Sequence, residues 1–265
     1  MAQEGSFYKA ITRRALIINQ TAAGAGLSGL LGFILMGAIA SVFFITENYF
    51  ISMFTISIGL LIYVSGSDVT RIGVSAFTIF FSSKHLVGRA AYMQDTLAAL
   101  TEILRIKRSK TGDYVGNPIA EKSKITLPNN PLALDIQKLQ EHQKDSQYAE
   151  YLAHSYYVQC HELYEFSSDN FDFVSNAMPL FGLIGTIVGL IAMFDTLGAD
   201  VTVEALSPQL ALALKTTLYG AVFSSIYKII GARFQQRLKA LDYDYEAFLK
   251  ALQTLVANKI SVEVD

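Results

Sequence analysis

Four apolar runs interrupt a chain that is amphipathic elsewhere. Residues 22–45 (AAGAGLSGLLGFILMGAIASVFFI) hold no charge, and at about 1.5 Å per residue a helix of that length spans the roughly 30 Å hydrocarbon core of a bilayer. Residues 49–65 (YFISMFTISIGLLIYVS) are shorter and also uncharged, and 178–196 and 208–230 make a third and a fourth run, the last interrupted by Lys215. Each run predicts a transmembrane helix. Residues 72–82 (IGVSAFTIFFS) are apolar but too short to cross, so they predict an interfacial or buried cytoplasmic helix.

Between the runs the apolar positions recur with a helical period. Over 84–110 they fall at Leu86, Ala90, Met93, Leu97, Leu100, Ile103 and Leu104, in a helix expected to end on the basic residues Arg105, Lys107, Arg108 and Lys110 before Gly112. That cluster reads either as an exposed terminus suited to the negative end of the helix dipole or as a partner-binding patch. Gly112, Gly116, Pro118, Pro128 and Pro131 predict loop or turn over 111–131, and the pattern is helical again from Leu132 through His154 and Tyr157. In the tail Leu238, Leu241, Tyr245, Phe248, Leu252 and Leu255 form a seam, short for a free coiled coil and expected to dock on cytoplasmic helices of its own or a neighbouring subunit.

Charge then orients the runs. Lys9, Arg13 and Arg14 precede the first, the segment 67–174 and the tail are rich in Lys and Arg, and the connections around Glu47 and around Asp195, Asp200 and Glu204 have neither. Positive residues stay inside, so both termini and the long loop are expected in the cytoplasm and the two short connections outside. The uncharged first run exceeds the core of a secretion signal and reads as a retained anchor. Composition agrees with a membrane protein, being 52% hydrophobic and 17% charged, against about 25% charged in a typical globular chain.

Several chemistries find no support. The single Cys160 excludes an intrachain disulfide. A net charge of −2 with lysines scattered among acids gives no nucleic-acid footprint. No Gly-rich phosphate loop, Walker lysine or nucleophile elbow is present, so neither an enzyme nor a cofactor is expected. His154 and His161 are seven residues apart, not the four of a helical zinc pair; they read as structural, and no metal site is expected.

Candidate chemistry lies in the last two runs. Gly182, Gly185 and Gly189 share one face of the third helix, and Gly220 with Ser224 lies on the fourth, small residues that let helices approach closely in lipid. Thr186 falls between Gly182 and Gly189, and Thr217, beside Thr216, shares a face with Ala213 and Gly220. Each hydroxyl could simply bond the carbonyl one turn back, yet three on glycine-lined faces suggest a polar path. Protons in membranes are usually carried by acids, and these spans have none away from their ends, so a carboxylate would have to come from another chain. Lys215 points away from the face of Thr217; it is expected at a subunit boundary or outer vestibule, paired with Asp195, Asp200 or Glu204, with gating as the rival role.

The stretches PLFGLIGTIVGLI and LALALKTTLYGAVFSSI resemble the third and fourth helices of the MotA/TolQ/ExbB ion-channel family, and AAYMQDTLAALTEIL and CHELYEFSSDN resemble its cytoplasmic helices. The four-span plan is similar to the MotA-type members. The resemblance implies an all-α polytopic membrane protein with a helical cytoplasmic domain, divided as 1–21 cytoplasmic, 22–66 the first two spans, 67–174 cytoplasmic, 175–230 the channel spans and 231–265 a cytoplasmic helix. It implies a homopentamer in the bacterial inner membrane around a dimer of a single-pass MotB/ExbD/TolR-like partner whose Asp carries H+ or Na+. It further implies a motor, either a stator or an energiser of another envelope process; a non-conducting membrane scaffold is the alternative outside that class. Pro179 falls on the family's proline and Thr186, Thr216 and Thr217 on its threonines. Ile230 stands near the place of the second proline of MotA-type chains, Arg108 and Lys110 flank the aligned torque arginine, and Asn117 lies near its glutamate.

Overall fold

The computed structural model describes residues 27–82, 84–104, 107–108, 114–115, 124–141, 146–196, 203–258 and 260–264. In chain order these form α1 (Leu27–Ile45), α2 (Tyr49–Ser65), a 3-10 turn (Gly66–Asp68), α3 (Val69–Phe81), α4 (Gly88–Leu104), β1 (Lys107–Arg108), β2 (Tyr114–Val115), β3 (Lys124–Leu127), α5 (Pro131–Glu141), α6 (Ser146–Thr196), α7 (Val203–Ala257) and β4 (Ser261–Val264). The described residues are predominantly helical. By length and apolarity α6 and α7 can each cross a membrane, and α2 with α3 makes a third crossing if that bent pair is one span; α1 is apolar but shorter.

The described residues divide into two compact units, one built from those within 27–77 and 166–234, the other from those within 78–165 and 235–264. In the first, α1 and α2 form a hairpin whose contacts are set by small residues. A Cβ on Gly32 would stand 2.7 Å from Ile62 and one on Gly59 2.8 Å from Met36, so each glycine admits a bulky neighbour. The buried Ser52 Oγ donates to the Ala40 carbonyl at 2.9 Å, which satisfies the hydroxyl inside the hairpin. After α2 the chain turns through 111° into α3. Gly66 makes the turn possible with φ of 55°, a left-handed conformation open to glycine at a helix C-terminus. The amphipathic α3 buries Ile72 and Ile79 and exposes Phe77 and Phe81.

The second unit is held by aromatic and polar contacts among α4, α5, the tail and the first part of α6. Asn130 caps α5: its Oδ1 accepts from the Ala133 N–H at 2.8 Å and its Nδ2 donates to Thr96 Oγ1 at 3.0 Å, with Pro131 at the first helical position. Tyr157 stacks on Tyr245 at 4.3 Å and donates to Asp242 at 2.7 Å, while Tyr156 donates to Asp135 at 2.6 Å. Burial and these carboxylate acceptors push both phenols above the ordinary tyrosine range. Leu241, Phe248, Leu252 and Leu255 are buried, so the tail seam packs within its own chain.

Three expectations are corrected here. The segment 111–131 is not all loop, because β1 pairs antiparallel with β2 and β3 lies within it. The tail does not end as a helix: β4 pairs parallel with β3, Ile125 opposite Val262, and Gln140 closes the arrangement by accepting from the Val262 N–H at 2.8 Å. The helix over the predicted 84–110 stops at Leu104, so Lys107 and Arg108 belong to a strand rather than to a last helical turn. Isolated two-stranded pairs carry too little alternation to be read from pattern.

Cys160 is wholly buried, and burial pushes its thiol up to about 12. A thiol that stays protonated is a poor nucleophile. The native protein is therefore expected to resist maleimide at neutral pH and to label after unfolding; rapid native labelling would contradict this packing.

Candidate functional site

The facing sides of α6 and α7 form a seam lined by glycine. A Cβ on Gly182 would meet the Thr216 carbonyl oxygen at 3.2 Å, one on Gly189 the Gln209 carbonyl oxygen at 2.8 Å, and one on Gly220 the Met178 carbonyl oxygen at 2.9 Å. At Gly185 the space is taken by Thr216, whose Oγ1 lies 2.5 Å from the position a Cβ would occupy. Backbone therefore lies against backbone along the membrane part of both helices, the close approach that small residues allow in lipid.

The hydroxyls gather inside this seam. Thr186 Oγ1 is hydrogen-bonded to Thr217 Oγ1. Three threonine hydroxyls converge on one carbonyl, that of Ala213, at 3.3 Å from Thr186, 3.1 Å from Thr216 and 3.0 Å from Thr217. Thr186 and Thr216 also reach carbonyls of their own helices, Gly182 at 3.1 Å and Leu212 at 2.9 Å. Thr216 is wholly buried under Gly185, whereas Thr217 is exposed, so the adjacent threonines serve opposite edges of the seam.

Pro179 sits inside α6. A proline has no N–H for the carbonyl four residues back, here that of Ser175. Ser224 Oγ supplies the missing donor at 2.7 Å, and Ser175 Oγ donates in return to the Ser224 carbonyl at 3.0 Å. The proline and the two serines thus form one interhelix clasp. Sequence reasoning singled out Pro179 but missed Ser175, although its place four residues before the proline was a usable signal. It also missed Asp172 and Lys228, whose side chains meet at 2.9 Å one turn beyond the clasp.

Lys215 is exposed on α7 and has no ion-pair partner among the described residues. The pairing with Asp195 is not formed; Asp200 and the side chain of Glu204 lie outside the described residues. So do Arg105, Lys110 and the side chains of Lys107 and Arg108. The histidines have protein partners: His154 lies against Tyr157 and Tyr245, and His161 faces Glu165 at 3.6 Å and Asp242 at 3.9 Å.

Residues 128–247, which include the whole seam, match the model of the MotA/TolQ/ExbB proton channel family. That segment belongs to the MotA/TolQ/ExbB family. The chain is 36% identical over 87 residues to "Motility protein A" of Aquifex aeolicus, covering 33% of this chain and 32% of that one. It is 46% identical over 48 residues to "Chemotaxis protein PomA" of Vibrio alginolyticus, 18% of each chain. With "Motility protein A" of Borreliella burgdorferi it shares 32% identity over 94 residues, 36% of this chain and 34% of that one. The matched stretches thus span about a third or less of these relatives' lengths. The matching model describes a family of proton channels, and these relatives carry motility and chemotaxis names.

Proposed function

We propose that the chain is the ion-channel subunit of a membrane rotary motor of the MotA type. The convergence of three threonine hydroxyls on the Ala213 carbonyl, in a glycine seam with no carboxylate at its depth, carries this reading. Hydroxyls and carbonyls can relay a cation but cannot hold and release a proton as a carboxylate does. An Asp on a single-pass MotB/ExbD/TolR-like partner would supply that group, with a dimer of the partner inside a pentamer of this chain. In this arrangement α1, α2 and the membrane parts of α6 and α7 are four spans of a bacterial inner membrane, α3 lies at the cytoplasmic interface, and both termini are cytoplasmic. The large apolar side chains exposed on α6, among them Leu180, Leu183, Ile187 and Ile191, then face lipid or neighbouring subunits.

Ion flux into vesicles holding the purified chain, with and without the single-pass protein encoded beside it, tests the proposal. Flux that needs the partner is the expected result; none in either case would leave a scaffold. An energiser of another envelope process is the second reading, favoured by Ile230 near the place of a proline and by Asn117 near the place of the torque glutamate. Extra hydroxyl oxygens can replace part of a sodium ion's shell, so Na+ and H+ are both candidate ions. Activity that persists without sodium and collapses with a protonophore would assign H+.

Lys215 is proposed to lie at a subunit boundary or outer vestibule, outside the conduction path. A lysine at the centre of a span costs about 2.5–3.5 kcal/mol on insertion scales, less where its stem reaches the interface. Lys215→Met keeps the stem and removes the charge. It is expected to lower the amount of assembled ring and leave transport per complex unchanged; a leak appearing only with the partner present would instead show gating.

A further inference from the structure

The polar groups of the seam continue past the threonines along one edge. On α7 Ser224 and Lys228 follow Thr217 by seven and eleven residues, and on α6 Ser175 and Asp172 precede Thr186 by eleven and fourteen. At 100° per residue each set stays on one side of its helix. The side chains meet in order: Thr186 with Thr217, Ser175 with Ser224, and Asp172 with Lys228. At about 1.5 Å per residue the steps carry the edge roughly 21 Å along α6, from the apolar middle to beyond the start of its uncharged run. The last step is the first to hold a carboxylate.

We propose that Asp172 receives cations at the cytoplasmic end of this edge and that Lys228 is its displaceable counter-ion. The inference rests on the conduction reading above and adds a role for residues of this chain. Three observations support it. The Asp172 side chain is 25% exposed and that of Lys228 59%, so the carboxylate is held at the mouth while the ammonium, on a flexible stem, is the wetter member of the pair. Gly231 lets the acid sit close against α7, since a Cβ there would come within 3.3 Å of Asp172 Oδ1 and crowd it. Lys228 Nζ donates to that same Oδ1, so an arriving cation and the ammonium compete for one oxygen. Such competition keeps binding weak enough for release, as conduction requires.

The test uses the complex with its co-purifying partner, reconstituted in vesicles, with flux measured per assembled complex over a range of proton or sodium concentration. Asp172→Asn is expected to lose flux, Asp172→Glu to keep it, and Lys228→Gln to conduct with half-saturation at lower cation concentration, because the competitor is gone. Undiminished flux in Asp172→Asn would overturn the proposal. So would an equal loss in Lys228→Gln and Asp172→Asn, the mark of an ion pair that only joins helices. A wild-type complex without partner-dependent flux would remove the conduction reading, whereas a conducting wild type with an equally conducting Asp172→Asn removes the role of Asp172 alone.

Discussion

Gly220→Ala is expected to abolish assembly, although it adds a single methyl group. The new Cβ would stand 2.9 Å from the Met178 carbonyl oxygen and 3.0 Å from the Gly182 Cα, and both are backbone atoms that no rotamer change can move aside. The helices must separate, and with them the contacts of Gly182, Gly185 and Gly189. Overpacking a close contact costs about 1–3 kcal/mol even where side chains can adjust. In lipid no hydrophobic driving force between helices offsets the lost packing. Gly73→Ala is the matched control, since nothing among the described residues lies within 4 Å of a Cβ there and alanine is the better helix former. The measurement is the fraction of protein recovered as intact complex in mild detergent: near zero for Gly220→Ala and unchanged for Gly73→Ala. Full recovery of Gly220→Ala would mean that the two backbones are not apposed.

The same glycines show how much of the site was legible in sequence. Their spacing places them on one face, and that face is the one α6 presents to α7, because helical periodicity and small-residue packing are local rules. Thr186 and Thr217 meet for the same reason. The different fates of Thr216 and Thr217 were not readable: 100° of rotation decides which is buried, and that depends on where the partner helix lies. The clasp of Ser175 and Ser224 was hidden because the donor replacing the proline's missing N–H comes from a helix 49 residues away in sequence. Asp172 fell outside an argument confined to the apolar runs, and Lys228, near the end of the fourth run, was passed over because only Lys215 was weighed there. The β3–β4 pair joins segments more than 130 residues apart, and no periodicity within either announces the other. Helices α4 to α7 were readable as elements because their core positions recur at three and four, though the 55 residues of α7 run unbroken from before the fourth apolar run into the tail.

Thr217→Val is expected to remove partner-dependent flux while the complex still assembles. Valine keeps the β-branched shape, so the packing against α6 is retained and only the hydroxyl is lost. Thr186 is not stranded by the change, since its Oγ1 stays within reach of the Gly182 carbonyl at 3.1 Å and the Ala213 carbonyl at 3.3 Å. A hydrogen bond between membrane helices contributes about 0.6 kcal/mol on average, too little to dismantle the glycine seam. A large loss of flux at normal assembly would therefore report the hydroxyl's place in the path rather than damage to the fold. Thr216→Val sharpens the test. Its hydroxyl is buried at the other edge and bonds the Leu212 and Ala213 carbonyls of its own helix, so a path along the exposed edge predicts that this variant conducts. Loss in both variants would place the ion at the Ala213 carbonyl itself, between the two edges, where all three hydroxyls converge. Wild-type flux in Thr217→Val would take Thr217 out of the path, and with it the contact to Thr186 that makes the two helices one polar surface.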